Sequence, residues 1–181
     1  MVDTTELPEL RDIREPKHPG VTRSVCAAFA EAAEVCLARH HRPPETVVHV
    51  DCCGQQARKL LKWRAPTPSS MRAWNNRDDA TRDAAYIVSL AAIESELGLV
   101  ALARAETRTG ADYYVGNPSD LDLESARRLE VSGTDTGSKG AIRGRLREKV
   151  RQVRAGASDL PAFASVVGFR EALVLLDEMT E

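Results

Sequence analysis

The sequence predicts an α/β (α+β) protein with an αβββαβ core, a mixed central sheet flanked by helices, behind a mostly helical N-terminal extension. Three observations predict it. Residues from about Arg77 to Leu97 carry apolar side chains at helical spacing and stop at Gly98, the usual residue past a helix end. Short runs of alternating character follow, at Leu99 to Glu106, Ala111 to Val115 and Arg127 to Ser132. A basic amphipathic stretch, about Lys139 to Ala155, then leads into Ala162 to Phe169, which is apolar on both faces and belongs at the centre of a sheet.

Residues 1–20 hold Pro8, Pro16, Pro19 and Gly20 among charges, and are expected to form a flexible arm. From Thr22 the spacing of Val25, Ala28, Phe29, Ala32, Ala33, Cys36 and Leu37 predicts an amphipathic helix capped at Thr22 or Ser24 and ended by Pro43-Pro44. Thr46 to Val50 is expected as a strand and Gln55 to Trp63 as a short helix. The loop containing Pro66, Pro68, Ser69 and Ser70 is expected to divide a helical elaboration, 21–70, from a core domain, 71–181. In the long helix Tyr86, Ile87, Leu90, Ile93 and Leu97 mark the buried stripe. Glu94 lies on that stripe and Glu96 points away, and a buried carboxylate requires a partner or a cation. Turns are expected at Arg108-Thr109-Gly110 and over 116–125, and a last strand at Ala172 to Leu176. A strand, helix, strand path from Glu130 to Val167 implies parallel strands and a right-handed crossover.

Of the 181 residues, 29% are charged and 43% hydrophobic, with a net charge of −2, so any nucleic-acid surface must be local. No apolar run approaches the roughly 18 residues of a membrane span. Asp3, Glu6, Glu9 and Asp12 make the N-terminus too acidic for a targeting peptide, and a cytoplasmic location is expected. Cys26, Cys36, Cys52 and Cys53 form no C-x-x-C pair, which argues against a zinc ribbon or a thioredoxin-type motif and for buried free thiols.

Chemistry concentrates between residues 98 and 133. Alternation sets Asp112 with Tyr114 on one side of their strand. It sets Glu130 with Arg128 and Ser132, opposite Leu129 and Val131. Neighbouring strands so arranged bring two carboxylates within reach of one cation, and hard oxygen donors suit Mg²⁺ or Mn²⁺. The following helix carries seven basic residues from Lys139 to Arg154 against the single acid Glu148. Its core stripe is Ile142, Leu146, Val150 and Val153. Arg143, Arg147, Arg151 and Arg154 lie on one flank, and Arg145, Lys149 and Gln152 on the other, with Lys149 closest to the stripe and able to lean toward Glu130. Such a helix suits a phosphate backbone.

Other motifs fail on inspection. Gly133 to Gly140 follows a strand and opens a helix, but a P-loop requires Gly at Ser138 and Ser or Thr at Gly140. Ser132 lacks a G-x-S-x-G elbow, and none of His18, His40, His41 and His49 has the spacing of a catalytic base. No ligand spacing joins His40, His41, His49 and Cys52 into a metal site.

The order helix, three strands, helix, strand, with Glu94 on the first helix, Asp112 on the second strand and Glu130 on the third, resembles the core of the PD-(D/E)XK nuclease superfamily. The resemblance covers roughly residues 77–178. It implies a restriction-endonuclease-like fold and a nuclease acting on DNA or RNA phosphodiesters, with Mg²⁺ or Mn²⁺ held by Asp112, Glu130 and Glu94. Ser132 occupies the position of the family's lysine, and Lys149 on the next helix is the expected replacement. Gln152 is similar to a glutamine on the same helix of recombination-type members. Arg143, Arg145, Arg147, Lys139, Gln152 and Ser132 are expected to contact substrate. The alternative, favoured by Ser132, is a nuclease fold without the chemistry, serving as a nucleic-acid-binding or scaffolding subunit of a defence, repair or mobile-element assembly. A protein partner or a second copy is then expected, and no membrane.

Overall fold

The computed structural model describes residues 4–106, 109–120, 122–154 and 160–179. The predicted turn residue Arg108 and helix end Ala155 lie outside them. Among the described residues the strands and helices are, in chain order, β1 (Thr5–Glu6), α1 (Arg23–Ala38), β2 (Glu45–Cys52), β3 (Gln55–Lys62), α2 (Pro68–Ala73), α3 (Arg77–Leu97), β4 (Val100–Arg104), β5 (Tyr113–Gly116), β6 (Arg127–Thr134), α4 (Lys139–Arg154), β7 (Ala162–Gly168) and β8 (Leu173–Met179). The strands form one mixed sheet in the order β1-β3-β2-β8-β7-β6-β5-β4. The protein is therefore α/β, and no helix among the described residues is long and apolar enough to cross a membrane.

The αβββαβ order of the sequence is present. β4, β5 and β6 pair antiparallel, and β6 pairs parallel with β7 across α4, with Glu130 opposite Ala164. The ends of α3 follow from its termini. Asn76 accepts hydrogen bonds from the Asp78 and Asp79 backbone N–H groups, and Gly98 closes the helix in the left-handed region at φ 66°. Thr22 caps α1 through the Val25 N–H.

Three expectations for the first 70 residues need correction. Gln55 to Trp63 is not a helix but β3. Cys53 and Gly54, at φ 52° and 82°, make a two-residue turn that sets β3 antiparallel on β2, from Cys52 opposite Gln55 to Glu45 opposite Lys62. The segment from 21 to 70 is accordingly a helix plus a hairpin rather than mostly helical, and β2 pairs parallel with β8, so the sheet runs past the loop at 66–70. The described part of the N-terminal arm packs onto the core. Leu7, Leu10, Ile13 and Val21 are all buried, Leu7 N–H donates to Leu60 O (3.0 Å), and Gly20 N–H donates to Ala101 O (3.0 Å). The arm folds back through a 3-10 turn at Leu10–Asp12 and further turns up to Val21, and its scattered apolar side chains each reach the core, which is what decides order.

Side-chain alternation divides the sheet into two faces. Phe163 and Val167 of β7 and Leu129 and Val131 of β6 join α1 and α3 in the main core. Ala162, Ala164 and Val166 of β7 pack with Ile142 and Val153 of α4 on the other face. Ser89 of α3 and Ser165 of β7, both fully buried, satisfy each other at 2.6 Å across the first interface. Glu130 and Ser132 thereby turn toward α4.

Candidate active site

β6 outruns its neighbour. It extends to Thr134, but β5 pairs with it only over Arg127, Arg128 and Leu129. Asp112 stands at the point where that ladder stops. Its own N–H donates to Leu129 O (2.7 Å), and its side chain continues the ladder by accepting the Val131 N–H on Oδ2 at 2.8 Å. The gap beyond is a cavity of about 690 Å³ lined by α3, β6, the loop after β6 and α4. Asp112, Glu130, Ser132, Arg145 and Lys149 all line it.

Asp112 is held from the α3 side as well. Tyr86 O–H donates to Oδ1 at 3.0 Å, and the Arg104 guanidinium lies 3.8 Å from the same oxygen. Arg104 stacks over the rings of Tyr86 and Tyr113, 4.2 and 4.7 Å from their centroids. Burial and the Asp112 charge push the Tyr86 hydroxyl up to about 12, so it stays a donor. Each Asp112 oxygen thus has one donor, which fixes the carboxylate and leaves further lone pairs for a ligand.

Glu130 is nearly enclosed and lies close enough to Asp112 to feel its charge. Burial first, and then Asp112, raise its pKa above the ordinary 4.5, while the Lys149 ammonium opposes the rise. Lys149 Nζ donates to Glu130 Oε1 at 2.5 Å and to Gln152 Oε1 at 3.2 Å. Arg145 donates to Ser132 Oγ and to Gly133 O, both at 3.2 Å. The basic charge beside Glu130 therefore comes from α4, while Ser132 serves as an acceptor for Arg145.

The other expected residues are placed elsewhere. Glu94 does sit on the buried stripe with partners, but these are Lys17 and the fully buried His18, whose Nε2 lies 2.7 Å from Glu94 Oε2, and Glu94 does not line the cavity. The expectation of a third acid from Glu94 is corrected accordingly. Its partners lie 77 and 76 residues away in sequence, beyond the reach of any spacing argument. Lys139 and Arg143 line a different cavity on the far flank of α4, and Arg147 is exposed along that same flank. Sequence reasoning missed Tyr86 as more than a core residue, and it missed Arg77, Arg82 and Asp78 of α3, which also line the cavity. No spacing signals them, since their approach to β6 is a tertiary fact. His40 joins Asp135 at 2.7 Å, and His41 lies 2.7 Å from Phe169 O, so neither faces a shared metal. Cys26, Cys36, Cys52 and Cys53 are free thiols, of which Cys53 is exposed.

Among the described residues no three His, Cys, Asp or Glu side chains gather around one point. Two hard carboxylates on one polar cavity, Asp112 and Glu130, still fit a Mg²⁺ or Mn²⁺ ion, which takes only one or two carboxylates and retains waters. No protein-family model, curated protein or solved structure matches the chain.

Proposed function

We propose that the chain is a divalent-cation-dependent phosphodiesterase of PD-(D/E)XK type that cuts DNA or RNA. The observation that carries this reading is the convergence of Asp112, Glu130 and Lys149 on one cavity. The meander of β4, β5 and β6 followed by the α4 crossover supports it further, because it brings the acids of two neighbouring strands together. Asp112 and Glu130 would hold Mg²⁺ or Mn²⁺, and when bound the ion would supply charge neutralisation at phosphate and acidify a water.

The chain's own groups do the rest. Tyr86 and the Val131 N–H orient Asp112. Lys149 offers an ammonium beside Glu130 that can donate to a phosphate oxygen or hold an attacking water, a charge Ser132 cannot supply. Arg145 contributes a planar donor fork at the same wall.

The test is cleavage of labelled single-stranded and duplex substrates with Mg²⁺, Mn²⁺ or chelator. Metal-dependent products that vanish in Glu130→Gln and Lys149→Met support the reading. Equal inertness of wild type and both variants, with salt-sensitive nucleic-acid binding retained, would assign the protein to the binding class that Ser132 suggests.

A further inference from the structure

The basic residues of α4 do not act as one surface. Lys139, Arg143, Arg147 and Arg151 recur every four residues and so share one ridge, while Arg145 and Lys149 lie on the opposite flank and are engaged at the carboxylate cavity. Among the described residues none of the four ridge cations is ion-paired, and neither is Arg58 of β3. Lys139, Arg143 and Arg58 line a second cavity of about 340 Å³ between α4 and the β2–β3 hairpin, together with His49. Its two acids do not neutralise them. Asp51 accepts the Gly54 N–H at 3.0 Å, and Glu171 lies 3.7 Å from Arg170. Val48, Val50, Cys52 and Leu61 of the hairpin join α1 and α3 in the main core, and among the described residues no helix packs on the opposite hairpin face.

We infer that this groove, bounded by the α4 ridge and Arg58, is a second, non-catalytic docking surface for a nucleic-acid phosphate backbone. The inference rests on the proposed nucleic-acid substrate but not on its cleavage. Charge complementarity chooses the occupant. Among the described residues Arg58 and Arg143 pair with neither acid of the groove and have no internal partner, and such cations hold a polyanion by releasing its counterions. From Lys139 to Arg151 the ridge spans about 18 Å, the length of about five base-pair rises along a duplex axis. Lying across α4 from Glu130, the groove would grip a strand or segment other than the one in the cavity. That arrangement raises affinity without touching the reacting phosphate.

The experiment measures binding of the full chain to short labelled single-stranded DNA, duplex DNA and RNA, in chelator, over a salt series. The variant Arg58→Gln/Arg143→Gln/Arg147→Gln should bind about tenfold or more weakly, and the log–log salt slope should shrink by about 0.9 for each duplex phosphate that is no longer neutralised. Arg23→Gln/Arg72→Gln removes exposed, unpaired charge from α1 and α2 and should bind as wild type does. Thermal melts of all three proteins establish that they are folded. A triple variant that binds as tightly as wild type, or loses no more than the control, overturns the second surface. Absent cleavage with binding weakened only in the triple variant overturns the phosphodiesterase proposal and upholds this one. No affinity of wild type for any of the three probes overturns both.

Discussion

Replacing Lys149 with methionine keeps most of its aliphatic stem and removes the ammonium that faces Glu130. Glu130 has only 8% of its side chain exposed and Lys149 22%, so the carboxylate loses its one ammonium partner with little water to take its place. The carboxyl can respond by taking up a proton. Neutralising a group whose ordinary pKa is 4.5 costs about 1.36 kcal/mol for each pH unit above that value, so the penalty is capped near 3.4 kcal/mol at pH 7. Residual hydration through the cavity lowers the realised loss to about 2–3 kcal/mol, roughly 5–10 °C in melting temperature for a chain of this length. The sign with pH follows from the direction of the shift. Glu130 has a raised folded pKa, so its contribution to stability is full below about 4.5 and is lost as pH rises through the folded value. The Lys149→Met deficit should therefore be largest at neutral pH and shrink below 1 kcal/mol by about pH 5. Urea unfolding at several pH values, on wild type, Lys149→Met, Glu130→Gln and the double variant, measures this. Removing Glu130 as well should recover most of the deficit, because it also relieves the repulsion from Asp112. A deficit that does not change with pH, or a double variant that loses the sum of the single losses, would refute the account of a buried carboxylate held ionised by Lys149.

Tyr86→Phe removes the hydroxyl that holds Asp112 Oδ1 and keeps the ring under Arg104, so Mn²⁺ affinity measured by calorimetry should fall about tenfold while stability changes by about 1 kcal/mol. Gly133→Ala places a Cβ 2.8 Å from Thr81 O and 3.0 Å from the Ala85 Cβ, forcing α3 off β6 at a cost of about 1–3 kcal/mol, read as a melting temperature lower by roughly 5 °C. His18 accepts the Ala101 N–H on Nδ1 at 3.1 Å and faces Glu94 and Lys17, and burial holds its pKa below the ordinary 6.5. Its contribution is full above 6.5 and is lost as pH falls through the lower folded value. His18→Gln should then cost about 2 kcal/mol at pH 7.5 and less at pH 5, as followed by denaturant unfolding.

Where local signals and tertiary packing agreed, the fold was legible in the sequence. Asn76 and Gly98 mark both ends of α3, and the apolar run Ala162 to Phe169 did become an interior strand. The errors have a common origin. In Gln55 to Trp63 the apolar residues Ala57, Leu60, Leu61 and Trp63 mimic helical spacing over too short a window to separate it from a strand. The deciding signal was the Gly54 turn immediately before it, which commits the chain to a hairpin. The N-terminal arm was misjudged because proline and charge dominate its composition, while the four side chains that order it are dispersed among them.

The site was legible to the extent that it depends on strand alternation and order. Asp112 and Glu130 meet because β5 begins where β6 goes on, and Lys149 reaches Glu130 because it is the basic residue on its flank of α4 nearest the apolar stripe. Glu94 failed for the opposite reason. A carboxylate on a buried stripe must find a positive or donating partner, but the stripe does not say which, and His18 arrived from a segment that alternation and helical angle cannot place. The absence of a lysine at Ser132 then has a structural sequel. Ser132 receives Arg145 and Glu130 receives Lys149, so these two neighbouring positions on one face of β6 are served by cations one helical turn apart on α4. A lysine restored at Ser132 would have to share that wall with Arg145 and Lys149. Ser132→Lys alone should therefore bind nucleic acid more tightly without cutting faster, whereas Ser132→Lys combined with Lys149→Met should recover metal-dependent cleavage lost in Lys149→Met. Cleavage assays on the three variants decide it, and failure of the double variant to recover would show that the position of the ammonium on α4, and not merely its charge, is what Glu130 requires.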